Sequence, residues 1–186
     1  MREIEIKAKV ADKQALLTAL QSKGVELTEP VTQHDRVYGL PGVDGGEDQQ
    51  APWLRIREEQ RGDRPVTYFT LKRSVSNQLD SIEHEVTVDN PEALEGIIHE
   101  LGFVPYSDLT KVRQKAHLAA DIEICVDTVA PLGDFIEAEK LSTDDVIYEA
   151  VEAELWQLLS PFGIARDQAV TDGYDVLMNK HLGKEH

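Results

Sequence analysis

Apolar and ionic side chains alternate through most of this chain. In the stretch EIEIKAK (Glu3–Lys9), Glu3, Glu5 and Lys7 share one face of an extended strand, while Ile4, Ile6 and Ala8 share the other. The same period predicts strands over 2–10, 33–39, 53–59, 66–74, 81–88, 109–118, 121–127 and 135–141. Three segments change to helical spacing. Helix A, over 13–23, has Asp12 as N-cap, a stripe of Leu16, Leu17 and Leu20, and Gly24 as its stop. Helix B starts at Asn90-Pro91, carries Leu94, Ile97, Ile98 and Leu101, and ends at Gly102. Helix C begins at Ser142, with Asp145 three residues on, and runs to about 159, before Pro161. The stretch 40–52 reads as one long loop, and Gly62 and Pro65 mark a turn. Two helix–glycine–strand units, ALLTALQSKGVEL and ALEGIIHELGFVP, hint at an internal repeat.

The polar faces carry the unusual information. Arg55 and Arg57 flank Ile56, Thr70 and Lys72 flank Leu71, and Glu83 and Glu85 flank His84. Lys111 and Arg113 flank Val112, Glu137 and Glu139 flank Ala138, and Asp121, Glu123, Cys125 and Asp127 alternate with Ile122, Ile124 and Val126. A one-sided antiparallel sheet explains any single strand of this kind. It explains the set less well, because a solvated face mixes signs, whereas here acids group with acids and bases with bases. Closing the sheet resolves this. The apolar face, with Ile4, Ile6, Ile56, Leu71, Val112 and Ile124, would then turn outward under the helices, and the ionic face would line a tunnel. Paired carboxylates suit a hard divalent cation such as Mg²⁺ or Mn²⁺, and paired bases suit a polyphosphate. A metal-bound triphosphate satisfies both.

The chain has 186 residues and 41% hydrophobic residues, enough for one domain over 1–186 with a sizeable core. Its net charge of −16 argues against a nucleic-acid or anionic-membrane partner. There is no apolar run of membrane length and no secretory pattern, and Cys125 stands alone, so a reducing cytoplasm is the expected location. Cys125 reads as a small half-buried residue and His84 as structural, since it faces away from Glu83 and Glu85. None of the other histidines has metal-ligand spacing. Trp53, Phe135 and Trp156 are expected to pack the core.

Glu3-Ile4-Glu5-Ile6-Lys7 resembles the E-x-E-x-K signature of the CYTH superfamily, the triphosphate tunnel metalloenzymes. Leu54-Arg55-Ile56-Arg57, Lys72, Glu83-His84-Glu85, Lys111-Val112-Arg113, Asp127, Leu132-Gly133-Asp134-Phe135 and Glu137-Ala138-Glu139 follow in the family's order. The resemblance implies an α+β fold, an eight-stranded antiparallel β-barrel with helices packed outside. It also implies a Mg²⁺- or Mn²⁺-dependent enzyme acting on ATP, inorganic triphosphate or thiamine triphosphate. Length and the LGDF segment are most similar to the class IV adenylyl cyclase group, which converts ATP to cyclic AMP and pyrophosphate. A triphosphatase is the alternative, and a non-catalytic polyphosphate- or nucleotide-binding module the third reading. By resemblance the metal ligands are Glu3, Glu5, Glu137 and Glu139, with Glu83 and Glu85 as balancing charges. The triphosphate clamp is Arg55, Arg57, Lys72, Lys111 and Arg113. Lys7 and Asp127 are the catalytic candidates: Lys7 pairs with the acids or takes part in base chemistry, and Asp127 binds metal or orients a metal-bound water. A homodimer is left open. The chain departs from the family at Asp35-Arg36-Val37-Tyr38, where D-x-Y is usual, at Ser81, where an Arg is common, and at Gly173-Tyr174, where Ser-Tyr is frequent.

Overall fold

The computed structural model describes residues 1–43, 51–61, 64–143 and 145–184. Eight strands form the sheet: β1 (Arg2–Val10), β2 (Val31–Gly39), β3 (Trp53–Arg61), β4 (Arg64–Asn77), β5 (Asp80–Val88), β6 (Val104–His117), β7 (Ile122–Val129) and β8 (Gly133–Ser142). They close in the order β1-β5-β4-β3-β2-β6-β7-β8, every neighbouring pair antiparallel. Helices α1 (Lys13–Ser22), α2 (Pro91–Glu100), α3 (Tyr148–Leu159) and α4 (Tyr174–His181) complete the α+β fold. The order β-α-β-β-β occurs twice along the chain, and the barrel maps each half onto the other. The two similar segments seen in the sequence fall on α1 and α2 of these halves; the second reaches the start of β6, whereas the first ends before β2 begins.

The outer face behaves as the alternation requires. Ile4, Ile6 and Ile124 pack beneath Leu16 and Leu20 of α1 and Val151, Leu155, Trp156 and Leu159 of α3. Ile56 and Leu71 pack beneath Ile98 and Leu94 of α2. Val112 is half-buried and joins none of these clusters among the described residues. Asp12 and Asn90 cap α1 and α2, accepting hydrogen bonds from the amides of Ala15 and Ala93 at 3.0 Å each. Gly24 and Gly102 follow these helices with φ of +76° and +87°, a conformation that costs glycine little.

Several boundaries differ from expectation. Ser142 ends β8 instead of opening a helix; α3 starts at Tyr148 behind Ile147, with no side-chain cap, where its apolar stripe begins. Strand β6 starts at Val104, five residues before the alternation becomes regular, and its register shifts opposite Val37 and Tyr38. Pro105, which has no N–H to donate, sits at that irregularity. Pro65 belongs to β4 instead of the turn. Gly62 and residues 44–50 of the long loop lie outside the described residues. Helix α4 was not anticipated, although Tyr174, Leu177 and Met178 have helical i, i+3, i+4 spacing. It lies across one end of the barrel, packing Tyr174 and Met178 on Leu109, Val129 and Phe135. Among the described residues, no helix is long and apolar enough to cross a membrane.

Candidate active site in the barrel interior

The ionic faces meet in one cavity of ≈ 370 Å³. Glu3, Glu5, Lys7, Arg55, Arg57, Lys72, Lys111, Arg113, Glu137 and Glu139 all line it. Strands β1 and β8 supply one wall, on which register places Glu5 opposite Glu139 and Lys7 opposite Glu137. Like charges directly opposite destabilise a sheet, so the Glu5–Glu139 pair is a cost that folding alone does not explain. Glu3, Glu5 and Glu139 present carboxylate oxygens within 4.8 Å of one another. Burial, then Glu137, pushes the Glu5 carboxyl up to about 7. Burial, then Glu139 and Glu83, raises Glu3 well above the carboxylate range. Oxygen-only donors at this spacing, reluctant to ionise without a positive neighbour, suit a hard divalent cation.

Glu137 differs from the other acids. Its burial opposes ionisation, but Arg113, Lys7 and Lys111 outweigh it and hold the carboxyl far below its ordinary range. Arg113 donates to it directly, and Lys7 Nζ lies 3.3 Å away. Burial works against the Lys7 charge too, yet Glu137 and Glu5 overcome it and raise its pKa. These two carboxylates favour the ammonium form of Lys7. Its Nζ also donates to the Asp172 carbonyl at 3.2 Å and sits 4.4 Å from the Tyr174 ring centre.

Strands β3, β4 and β6 carry the basic wall. Arg57 grips Asp35 through two hydrogen bonds of 2.7 Å, so Asp35 faces the tunnel. Tyr38 faces outward, donating to Glu95 of α2 at 2.6 Å. The extra residue in the Asp-Arg-Val-Tyr stretch thus puts the two side chains on opposite faces. Lys72 pairs with Glu83 at 2.8 Å, and Arg55 lies 3.5 Å from Glu85 and donates to Thr70 at 3.1 Å. Lys111 is less closely matched: its nearest ion pair is to Asp127 at 3.9 Å. Burial and the neighbouring Arg113 lower its pKa to about 8. Among these bases it is the one whose charge the fold compensates least.

Asp127 does not line the cavity. It is fully buried behind Arg113, receiving that guanidinium's fork at 2.8 and 2.6 Å and the Tyr174 hydroxyl at 3.0 Å. Tyr174 was noted in the sequence only as part of a departure from pattern. It touches Asp127, Lys7 and Lys111, and only the packing of α4 brings it there. Phe135 stacks edge-on against it inside the barrel, at 5.1 Å between ring centres. Trp156 is in the outer core, whereas Trp53 packs on Tyr106 and borders the cavity. Cys125 is completely buried, with Sγ 3.7 and 3.6 Å from Glu123 and Glu139. His84 is exposed on the outer surface.

The sequence model of the CYTH domain matches residues 1–174. A Methanocaldococcus jannaschii protein named "Putative adenylate cyclase MJ0240" is 30% identical over 175 residues, 94% of this chain and 97% of that one. The PH1819 protein of Pyrococcus horikoshii superposes with a TM-score of 0.81 at 21% identity, covering 96% of this chain and 99% of its own. "Putative adenylyl cyclase HpAC1" of Hippeastrum, which its description credits with a dominant triphosphatase activity, superposes with a TM-score of 0.61 at 17% identity, covering 100% and 97%. Whole-length sequence similarity, a shared closed barrel and an N-terminal acid strand on the tunnel wall lead to one conclusion: the chain belongs to the CYTH family.

Proposed function

We propose that this protein is a divalent-metal-dependent enzyme that breaks a triphosphate held in its tunnel. One observation carries the reading: a wall of carboxylates and a wall of bases face each other across a single shared cavity. Glu3, Glu5 and Glu139 would hold Mg²⁺ or Mn²⁺, with Glu137 beside them tying Lys7 and Arg113 in place. The cation, when bound, supplies charge neutralisation of the phosphate oxygens and polarisation of the attacked phosphorus. Arg55, Arg57, Lys72, Lys111 and Arg113 grip the triphosphate, and Lys111 is the first to gain because its charge is least compensated. Lys7 acts as a fixed positive charge near the phosphates, not as a base. Asp127 keeps Arg113 and Tyr174 in position and does not touch the substrate. Catalysis by this set is positioning plus charge stabilisation.

Two reactions use this clamp. In the first, the ribose 3′-oxygen of ATP attacks the α-phosphorus, the α–β bridge breaks, and cyclic AMP and pyrophosphate form. The name of the 30% identical archaeal relative favours it. In the second, water attacks a terminal phosphorus and releases phosphate and a diphosphate. The cavity lining favours this one. Most of its lining residues are ionic, and its aromatic rings, Trp53 and Tyr174, are packed on Tyr106 and Phe135. Purified protein with Mg²⁺ or Mn²⁺, offered ATP, thiamine triphosphate and inorganic triphosphate, decides the matter once products are separated by chromatography. Cyclic AMP identifies the first reaction and phosphate release the second. No turnover of any of the three, with triphosphate still bound, would leave a binding module.

A further inference from the structure

Two strand pairs join a strand to its own counterpart in the other half, β2 with β6 and β1 with β5, and the two are unequal. Strands β2 and β6 pair from Val31 to Gly39 without interruption except at one bulge. Strands β1 and β5 pair at only three positions, Arg2–Ile82, Glu3–Ser81 and Ile4–Asp80. Two further backbone bonds extend this seam: the Glu5 amide donates to the Leu79 carbonyl at 2.8 Å, and the Glu83 amide to the Met1 carbonyl at 3.1 Å. The short seam carries Glu3, part of the carboxylate cluster; nine paired positions with β8 fix the other side of β1, and the seam sets how Glu3 stands against β5.

A buried ion pair spans the outer side of this seam. Arg2 Nε donates to Asp80 Oδ1 at 2.7 Å, and its terminal nitrogen to Oδ2 at 3.0 Å. A further Arg2 nitrogen donates to the Val146 carbonyl at 3.0 Å, and Ser76 Oγ donates to Asp80 Oδ2 at 2.6 Å. Arg2 is 6% exposed and Asp80 0%. A buried pair of this kind is weak evidence for stability, since apolar residues would fill the same space at lower desolvation cost. Its geometric effect is specific. It fixes β1 against β5 where few ladder bonds do so, and thereby sets where Glu3 stands relative to Glu83 across the seam.

We infer that Arg2 and Asp80 are positioning residues for the cation site, acting through the β1–β5 seam on Glu3. The inference rests on the reading of the acid wall given above. It predicts a split between two affinities. Arg2→Gln and Asp80→Asn weaken Mn²⁺ binding about tenfold or more, measured by calorimetric titration of the metal alone. Their affinity for inorganic triphosphate in EDTA, which reports the basic wall, stays within about twofold of wild type. Arg2→Lys, able to keep one of the two bonds to Asp80, falls between. Ser76→Ala is the gentle variant should the others not fold, because it removes one bond to Asp80 from an exposed position at the end of β4; it lowers Mn²⁺ affinity about threefold. Folded variants with wild-type Mn²⁺ affinity would overturn the proposal, as would equal loss of both affinities, which marks general loosening. A wild-type protein that takes up no Mn²⁺ would overturn the acid-wall reading itself, and this proposal with it.

Discussion

Glu5 and Lys111, one on each wall, are residues whose charged form the fold disfavours. The folded pKa of Glu5, about 7, lies above its ordinary value of 4.5. In the metal-free protein the folded state therefore holds the Glu5 proton more tightly than the unfolded state does. That contribution is present below about pH 4.5 and is lost as pH rises through 7. Replacing Glu5 with Gln removes the penalty. Glu5→Gln should match wild type in stability at low pH and exceed it by up to about 3 kcal/mol at pH 8, by chemical denaturation in EDTA. The same variant should lose metal-dependent turnover, and wild-type Mn²⁺ affinity should rise between pH 6 and 8 as the carboxylate forms. Lys111 shows the opposite sign. With its pKa lowered to about 8, stability from this group increases as pH rises through 8 toward its ordinary value of 10.5. Lys111→Met should stabilise the empty protein at pH 7 yet weaken triphosphate binding by roughly 1.5–3 kcal/mol in calorimetry. Arg57 and Arg113 are less clean tests, since truncating either leaves a buried Asp35 or Asp127 without its partner.

At the level of elements, caps and stripes act locally and were readable. Asn90 accepts the Ala93 amide at the start of α2, and Asn90→Ala should cost about 1 kcal/mol of stability by thermal or denaturant unfolding. Helix α3 has no such cap and depends on its buried face, with Leu155 and Leu159 fully enclosed. Leu155→Ala should therefore cost roughly 2–5 kcal/mol, far more than any change at its N-terminus. Helix α4 links element to site. Tyr174→Phe keeps the ring over Lys7 and Lys111 but drops the bond to Asp127, whereas Tyr174→Ala removes both. The alanine variant should lose markedly more triphosphate affinity than the phenylalanine variant; equal losses would assign the effect to the hydroxyl alone.

For the whole molecule, closure turns like-charged strand faces into one site, and binding should be visible as stability. Mn²⁺ and triphosphate bind the folded state, so each should raise the melting temperature with concentration, and Glu5→Gln should abolish the Mn²⁺ part. The alternation of Ile4 and Ile6 with Glu3 and Glu5, and its recurrence in later strands, was enough to predict a sheet with one apolar and one ionic face, because side-chain direction in a strand has a period of two. The acid and base pairs were legible for the same reason: neighbours on one face are two residues apart in the chain. Grouping by sign then pointed to closure, and the E-x-E-x-K signature to the family. Four matters lay beyond that local reading. The β1–β5 seam pairs residues about eighty positions apart, so neither its brevity nor the Arg2–Asp80 clasp across it follows from spacing. Asp127 looked like a tunnel residue by alternation, but Arg113 and Tyr174 stand between it and the cavity. Tyr174 enters the site through α4, a short helix whose place is set by packing at the barrel end. The raised pKa of Lys7 despite deep burial depends on Glu137 from β8 and Glu5 beside it. Periodicity is a property of neighbours along the chain and is therefore written in the sequence; register across a seam, burial and the charge that burial permits are properties of neighbours in space, and only the closed barrel decides them.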